Sequence, residues 1–320
     1  MNDTSSSSIA LSYVIPLYRC QESVERLIER LNKLRISEHW EVIFVDDGSP
    51  DNTYTEIKKK LEETNLTATL VRHTRNFGEH QAVITGYRYS QGEYVVNIDD
   101  DLQNPPEEAI ELWEKARGEN LDAVYADFFQ SKKHSLWRNL GSIFANKTAH
   151  LFLDLPENIY LASFRCLSRT IIDLIKARSS PYIYIDGLVS QYTDRIGTIR
   201  VRHDPRRVGV SNYNMRRLAR LWLVILTGFS VMPLRLASVV GIAVMGLGFA
   251  GLLYILIEAV IIGAVVPGWV SLMSVLLFLG GLQCFMLGII GEYIGRIFLT
   301  ISGKPQSAVW TVERFHMVHD

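Results

Sequence analysis

Short runs of apolar, largely β-branched residues recur through the first part of the chain, at LSYVIP, WEVIFV, ATLVRH, EYVVNI and LDAVYA. Between them lie segments whose apolar positions return with helical spacing, as in residues 23–34 and 53–61. Strand patterns alternating with helix patterns predict an α/β domain built on a doubly wound, mainly parallel, Rossmann-like sheet. In such a sheet ligands bind outside the carboxyl ends of the strands. Pro16, the string Asp46-Asp47-Gly48-Ser49, and the run Asp99, Asp100 and Asp101 all fall there. Beyond Tyr125 the pattern becomes irregular, with a basic stretch at Lys132, Lys133 and His134 and amphipathic segments at about 136–153 and 168–177. These segments are expected to cover the open side of the crevice.

The pattern changes again near the end of the chain. Between Leu221 and Gly291 the only charged residues are Arg235 and Glu258. Two apolar stretches result, about 236–263 and 269–290, each long enough to cross a hydrocarbon core of ~30 Å as a helix. Arg216, Arg217, Arg220 and Arg235 precede the first stretch, Arg296 and Lys304 follow the second, and the turn at 263–268 carries no charge. The excess of basic residues on one side places both ends of this hairpin in the cytoplasm. Residues 216–233 fit a juxtamembrane helix lying in the interface. The expected organisation is a tail at 1–8, a catalytic domain at 9–215, the interfacial helix, a transmembrane hairpin at 234–299, and a cytoplasmic C-terminal tail at 300–320. The Ser-rich start has no signal-peptide pattern. Cys20, Cys166 and Cys284 are scattered and lack metal-ligand spacing, so disulfides are not expected.

The net charge of −1 says little about partners, but its distribution says more. Arginines at 200, 202, 206, 207, 216, 217 and 220 face one acid, Asp204, and form a basic collar beside the predicted membrane segment. Attraction to anionic headgroups would by itself explain such a collar. The Asp99, Asp100 and Asp101 run is the strongest chemical signal. Three adjacent carboxylates repel one another unless a cation sits among them, which suggests Mg2+ or Mn2+ held for a substrate phosphate. The string alone is equally a solvated acidic turn closed by Asn104, Pro105 and Pro106. Neither GxGxxG nor GxxxxGK[ST] follows any of the strands, so dinucleotide-binding and P-loop readings have no support.

Several ordered motifs decide between these alternatives: VIPLY, FVDDGSPDNT, RNFGEHQA, the DxDLQNPPE string from Asp99 to Glu107, SFR from Ser163, RxxGxSNY from Arg206, and GEYIGRI from Gly291. Together they resemble glycosyltransferase family 2 with the GT-A fold. The closest likeness is to its polyprenyl-phosphate branch, which includes dolichyl-phosphate mannose synthase and the undecaprenyl-phosphate transferases of O-antigen and lipid A modification. The resemblance implies that Pro16, Tyr18, Asp46, Asp47 and Asp99 border the nucleotide. It also implies that Asp99, Asp101 and Gln103 hold the divalent ion on the diphosphate, which makes Asp99 and Asp101 the catalytic pair. Asp100 stands where relatives often carry Ala and, in an extended strand, would point to the opposite face.

Three positions depart from the family pattern. Arg19 and Cys20 replace a usual Asn-Glu pair, leaving Glu22 as a candidate substitute. Phe129 falls near a family arginine, leaving Lys132, Lys133 or Arg138 to meet the donor phosphates. Ser163 stands where some relatives place an aspartate, so a carboxylate base there is excluded. A lipid monophosphate with a second pKa near ~6 needs little deprotonation. What it needs is a cationic cradle, for which the motifs suggest Arg165, Arg206 and Ser211 with Lys132 or Arg138.

The implied reaction is metal-dependent, inverting transfer of one sugar from a UDP- or GDP-sugar to polyprenyl phosphate, with undecaprenyl phosphate the expected acceptor, on the cytoplasmic leaflet. The lipid-linked product would serve glycan or lipopolysaccharide modification. An integral inner-membrane protein with both termini cytoplasmic is expected, in contact with the lipid bilayer, and relatives point to a homo-oligomer such as a tetramer. No nucleic-acid partner is implied. The alternatives are a processive polysaccharide synthase, whose usual interfacial Gln/Arg-x-x-Arg-Trp string is absent, and a non-catalytic membrane module for lipid-linked sugars.

Overall fold

The structure, a computed structural model, describes residues 9–127, 162–178, 184–202, 232–262, 268–302 and 306–316. The expected amphipathic segment at 136–153, residues 216–231 of the expected interfacial helix, and Phe129, Lys132, Lys133, Arg138, Arg206 and Ser211 lie outside the described residues, while Met232 and Pro233 open a longer helix.

Eight strands form one sheet: β1 (Leu11–Leu17), β2 (Trp40–Asp46), β3 (Ala68–His73), β4 (Tyr94–Asn97), β5 (Ala123–Asp127), β6 (Arg165–Ser168), β7 (Ile196–Arg200) and β8 (Val309–Phe315). Their order is β7-β5-β6-β4-β1-β2-β3-β8. The central block β3-β2-β1-β4 is parallel, as is β5 with β7, whereas β6 runs antiparallel to β4 and β5, and β8 runs antiparallel to β3. The helices of this unit are α1 (Val24–Asn32), α2 (Thr53–Glu62), α3 (Glu79–Tyr89), α4 (Glu108–Gly118), α5 (Arg169–Ala177) and α6 (Ile185–Tyr192).

Strand alternation explains why the sheet is covered on both faces. Tyr13, Ile15 and Leu17 of β1 join Phe44 of β2 in one core layer with Leu27 and Leu31 of α1 and Leu112 of α4. Within α1 the buried residues Val24, Leu27, Ile28 and Leu31 fall on a single helical stripe. Val14 points the other way, against α3. The approach is so close that a Cβ on Gly86 would come within 2.3 Å of the Val14 side chain. The expected doubly wound architecture is therefore present, with an antiparallel strand at one edge and another, β6, inserted beside β4.

The second unit, residues 215–303, contains α7 (Met232–Ile262) and α8 (Trp269–Ile301). With 31 and 33 residues they rise roughly 45–50 Å at 1.5 Å per residue, longer than the stretches read from hydropathy. Both are long and apolar enough to cross a membrane. Ile242, Leu247, Phe249, Tyr254, Phe278 and Phe285 are all more than 60% exposed, a density of apolar surface that water does not support.

The expected C-terminal tail is not a tail. After α8 the chain rejoins the first unit as β8, whose backbone pairs with β3 from Ala68↔Phe315 to His73↔Val309. Thr74 N–H donates to Ala308 O at 2.9 Å, the Tyr54 hydroxyl donates to Glu313 Oε1 at 2.5 Å, and Lys58 pairs with Glu313 Oε2 at 2.7 Å. This strand covers an edge of β3 that would otherwise present unpaired backbone groups. A chain ending at Ser302 is expected to lose several kcal/mol of stability, read as a Tm lowered by roughly 10 °C in detergent, and to self-associate more readily. An unchanged Tm and a monodisperse elution profile would show that β8 is dispensable.

Candidate active site

Parallel pairing brings the ends of β1 and β2 level, since Leu17 pairs with Asp46. The β4 segment stops earlier at Asn97, with Ile98 N–H still bonded to Val14 O at 3.1 Å. The loops that follow these three strands carry most of the candidate residues. Pro16 is buried within β1, Tyr18 is 41% exposed just beyond it, and Glu22 is exposed in the turn before α1. Arg19 adopts a left-handed backbone (φ 55°) with its guanidinium 5.3 Å from the Tyr18 ring centroid.

The two aspartates that end β2 have different jobs. Asp46 is fully buried; its Oδ1 accepts the Ser49 N–H at 3.0 Å, while Oδ2 lies 3.2 Å from Arg72 Nε without hydrogen-bond geometry. Burial pushes its carboxyl above the usual carboxylate range, opposed by Ser49 and Arg72. Asp47 accepts three donors: His73 Nδ1 at 2.7 Å and Phe77 N–H at 2.9 Å on Oδ1, and Gly78 N–H at 2.7 Å on Oδ2. Buried and bound by these three donors, Asp47 anchors the loop before α3. Gly48 completes the turn with φ 66°, and a Cβ there would lie 2.5 Å from the Arg75 backbone.

Asp99, Asp100 and Asp101 follow β4 in a turn that includes Leu102 at φ 58°. Asp99 Oδ2 accepts the Ser163 hydroxyl at 2.6 Å and the Asn104 amide at 3.3 Å. Asp101 Oδ1 accepts the Gln103 N–H at 3.1 Å. The strand ends before Asp100, so strict alternation does not apply, and its carboxylate lies 3.4 Å from the Tyr18 N–H. Asp100 therefore belongs to the site and does not point away from it. Burial, then Glu79, push the Asp99 carboxyl up to about 7, with Asp101 and Asp100 adding to the effect and Ser163 opposing it. Burial chiefly raises Asp100 to about 6, with Asp101 and Glu79 contributing.

Like charges and desolvation thus oppose ionisation at Asp99 and Asp100, and a hard divalent cation would favour it. The oxygen donor set suits Mg2+ or Mn2+. Among the described residues no group of three His, Cys, Asp or Glu side chains stands ready to hold a metal. A cation here would need further oxygen ligands from phosphate or water, which is the usual manner of Mg2+ at phosphate-transfer sites.

Arg165 is not free to grip an acceptor. It is buried, ion-paired with Asp186 of α6, and pairs in register with Asn97 of β4. Two residues beyond the Asn97–Arg165 pair on each segment, the Ser163 hydroxyl donates to Asp99, so the buried Arg165–Asp186 pair braces the strands that lead to that contact. Tyr87 closes the neighbourhood through a 2.5 Å hydrogen bond from its hydroxyl to Asn97 Oδ1. His80 packs edge-on against Tyr184 at 6.0 Å, and burial holds its pKa below the usual value, as a packing role requires. Sequence reasoning missed Glu79, His73 and Asp186. Glu79 alone carried a signal, as an acid at the start of a helix within RNFGEHQA.

Breaking the buried pair tests its structural role. Arg165→Met is expected to cost roughly 3–5 kcal/mol by stranding Asp186, and Arg165→Met combined with Asp186→Leu to recover most of that loss. Denaturation of the single and double variants would measure it. A stable Arg165→Met protein with a specific acceptor defect would restore Arg165 to the acceptor site.

The fold and the site can be set beside known proteins. The glycosyl transferase family 2 profile matches residues 12–175, and the GtrB C-terminal hairpin profile matches residues 232–297. An uncharacterised glycosyltransferase of Synechocystis sp. is 32% identical over 318 residues, covering 96% of this chain and 97% of its own length. The undecaprenyl-phosphate 4-deoxy-4-formamido-L-arabinose transferase of Aeromonas hydrophila is 30% identical over 320 residues, covering 98% and 96%. Among solved structures, glucosyl-3-phosphoglycerate synthase of Mycobacterium tuberculosis, determined with Mn2+, UDP-glucose and phosphoglyceric acid, superposes with a TM-score of 0.51. It is 17% identical, covers 68% of this chain and 78% of its own, and shares the GT-A-like fold. With the family profile spanning half of its length and relatives matching it nearly end to end, this chain belongs to glycosyl transferase family 2 and is a glycosyltransferase.

Proposed function

We propose that this enzyme transfers one sugar, with inversion, from a UDP- or GDP-sugar to polyprenyl phosphate, undecaprenyl phosphate being the expected acceptor. The observation that carries this reading is the acidic turn after β4, where crowded carboxylates resist ionisation in a chain that also bears an apolar helical hairpin. Relatives named as undecaprenyl-phosphate transferases in Aeromonas hydrophila and Klebsiella pneumoniae support the acceptor class. Because β8 rejoins the sheet after the hairpin, both ends of the hairpin are tied to the catalytic unit. That connectivity, with the basic flanks, supports an integral inner-membrane protein with its catalytic unit on the cytoplasmic side. A homo-oligomer is part of the same proposal.

Asp99 and Asp101, with Gln103, would hold a Mg2+ or Mn2+ ion, whose charge stabilises the departing nucleoside diphosphate more in the transition state than before it. Ser163 and Asn104 orient Asp99 toward that task through their hydrogen bonds. Asp46, whose Oδ2 lies 3.2 Å from Arg72 Nε without hydrogen-bond geometry, is proposed from the family motif to border the nucleotide. Pro16 and Tyr18 would flank the nucleotide, and exposed Glu22 is the candidate substitute for the missing family glutamate. The acceptor phosphate attacks the anomeric carbon directly, so no enzyme nucleophile is required and the configuration inverts. Arg206 and Ser211, with Lys132 or Arg138, are proposed from their motifs and charge to cradle that phosphate.

Purified protein should convert one of a panel of UDP- and GDP-sugars with undecaprenyl phosphate, and no turnover across the panel would remove the proposal. Asp101→Asn is expected to lower kcat at least a hundredfold while leaving Tm nearly unchanged, and chelation of divalent ions should mimic it reversibly. Full activity of the variant at saturating metal would sink the metal assignment. Arg206→Ala is expected to impair acceptor use roughly tenfold to a hundredfold, corresponding to a charge-assisted hydrogen bond of ~1.5–3 kcal/mol, with little change toward the donor. Arg220→Ala removes the same charge elsewhere in the collar, and equal defects in the two would favour general attraction to headgroups.

A further inference from the structure

Arg72 and His73 are consecutive on β3, and each holds one of the two consecutive aspartates at the end of β2. Arg72 pairs in register with Asp46 on one side and with Thr311 of β8 on the other. Its guanidinium lies 4.8 Å from the Tyr54 ring centroid and 5.9 Å from that of Trp310, so two aromatic faces clamp it beside Asp46. β8 supplies one of these faces, Trp310, and fixes the other, Tyr54 of α2, through the bond from its hydroxyl to Glu313. Glu313 is fixed in turn by Lys58, at 2.7 Å.

His73 faces the other way along a second relay. Its Nδ1–H donates to Asp47, and its Nε2 lies 2.9 Å from Thr85 Oγ1, which is 3.1 Å from Ser307 Oγ in the segment leading into β8. Asp47 then holds the Phe77 and Gly78 N–H groups at the start of α3, where Glu79 raises the Asp99 pKa. His73, Asp47 and Thr85 are all buried, so water does not loosen this chain of contacts.

We propose that the segment from Ser307 to Glu313, which follows the membrane hairpin, positions the donor site through these two relays. Trp310 and Glu313 act through Arg72 on Asp46, and Ser307 acts through Thr85 and His73 on Asp47. An indole 71% exposed on an edge strand contributes little to the core, and its contact with Arg72 gives it a role that burial does not. The chain leaving the hairpin is thereby coupled to the pocket that takes the nucleotide. The inference rests on the proposed reading that Asp46, at the end of β2 that Asp47 helps to fix, borders the nucleotide.

Full-length protein in detergent provides the test, with UDP and GDP titrated by calorimetry and with Tm and kinetic constants measured alongside. Trp310→Ala is expected to raise the Kd of whichever nucleotide the wild type binds, and the donor KM, about five- to tenfold, with acceptor KM unchanged. Trp310→Phe should restore both to within about twofold. Glu313→Gln, a milder change that keeps the strand, should weaken nucleotide binding in the same direction. Arg314→Ala, on the same strand but paired with Thr69 and not with a relay residue, should leave the Kd unaltered. A lower Tm with unchanged nucleotide Kd in both Trp310→Ala and Glu313→Gln would overturn the inference, as would an equal rise in Kd for Arg314→Ala. If the wild type binds neither UDP nor GDP, the donor reading itself falls.

Discussion

The site depends on one electrostatic constraint: carboxylates crowd the carboxyl end of β4 where solvent cannot fully stabilise them. Asp99, Asp100 and Asp101 are adjacent in sequence, and Glu79 reaches the same region from the start of α3. Such an arrangement is costly in the free protein and persists only where the fold supports it or a ligand relieves it. Ser163 and Asn104 supply hydrogen bonds to Asp99, and Tyr18 supplies a long one to Asp100. None of these removes the repulsion, which a bound divalent cation would relieve.

The scaffold beneath the site is correspondingly rigid. Asp47 fixes the loop that leads to Glu79, and the buried pair of Arg165 and Asp186 braces the β4–β6 ladder just before Asp99 and Ser163. Polar groups that resemble binding residues in the sequence thus serve as internal supports. The strand β8 closes the opposite edge of the sheet and returns the chain from the hairpin to the catalytic unit. If the hairpin sits in a membrane, as proposed, that connection would raise the local concentration of a lipid acceptor without new contacts to it.

Much of this was legible in the sequence, for identifiable reasons. Central strands such as VIFV and YVVN are buried on both faces and therefore read as continuous apolar runs. Helix α1 announced itself by its single apolar stripe, and the two long helices by long apolar runs almost free of charge. Strand β8 escaped because a half-exposed edge strand has no clean period, and its pairing with β3, such as Val71 with Val312, spans the whole fold. Asp99 and Asp101 were legible as a charged cluster at a strand end. The internal commitment of Arg165 was not, because its partner Asp186 lies 21 residues downstream on another element. The anchoring role of Asp47 was hidden for a similar reason, since a sequence lists its charge but not the three donors that bind it.

The central claim is that the carboxylates after β4 hold a divalent ion in concert with a nucleotide diphosphate. Electron paramagnetic resonance of Mn2+ titrated onto the full-length protein, with and without UDP or GDP, tests it most directly. Because no three protein side chains stand ready to ligate a metal among the described residues, Mn2+ alone should bind weakly. The diphosphate should tighten Mn2+ binding at least tenfold, and Asp101→Asn should abolish that gain. Tight Mn2+ binding without nucleotide, or a gain that survives Asp101→Asn, would contradict it.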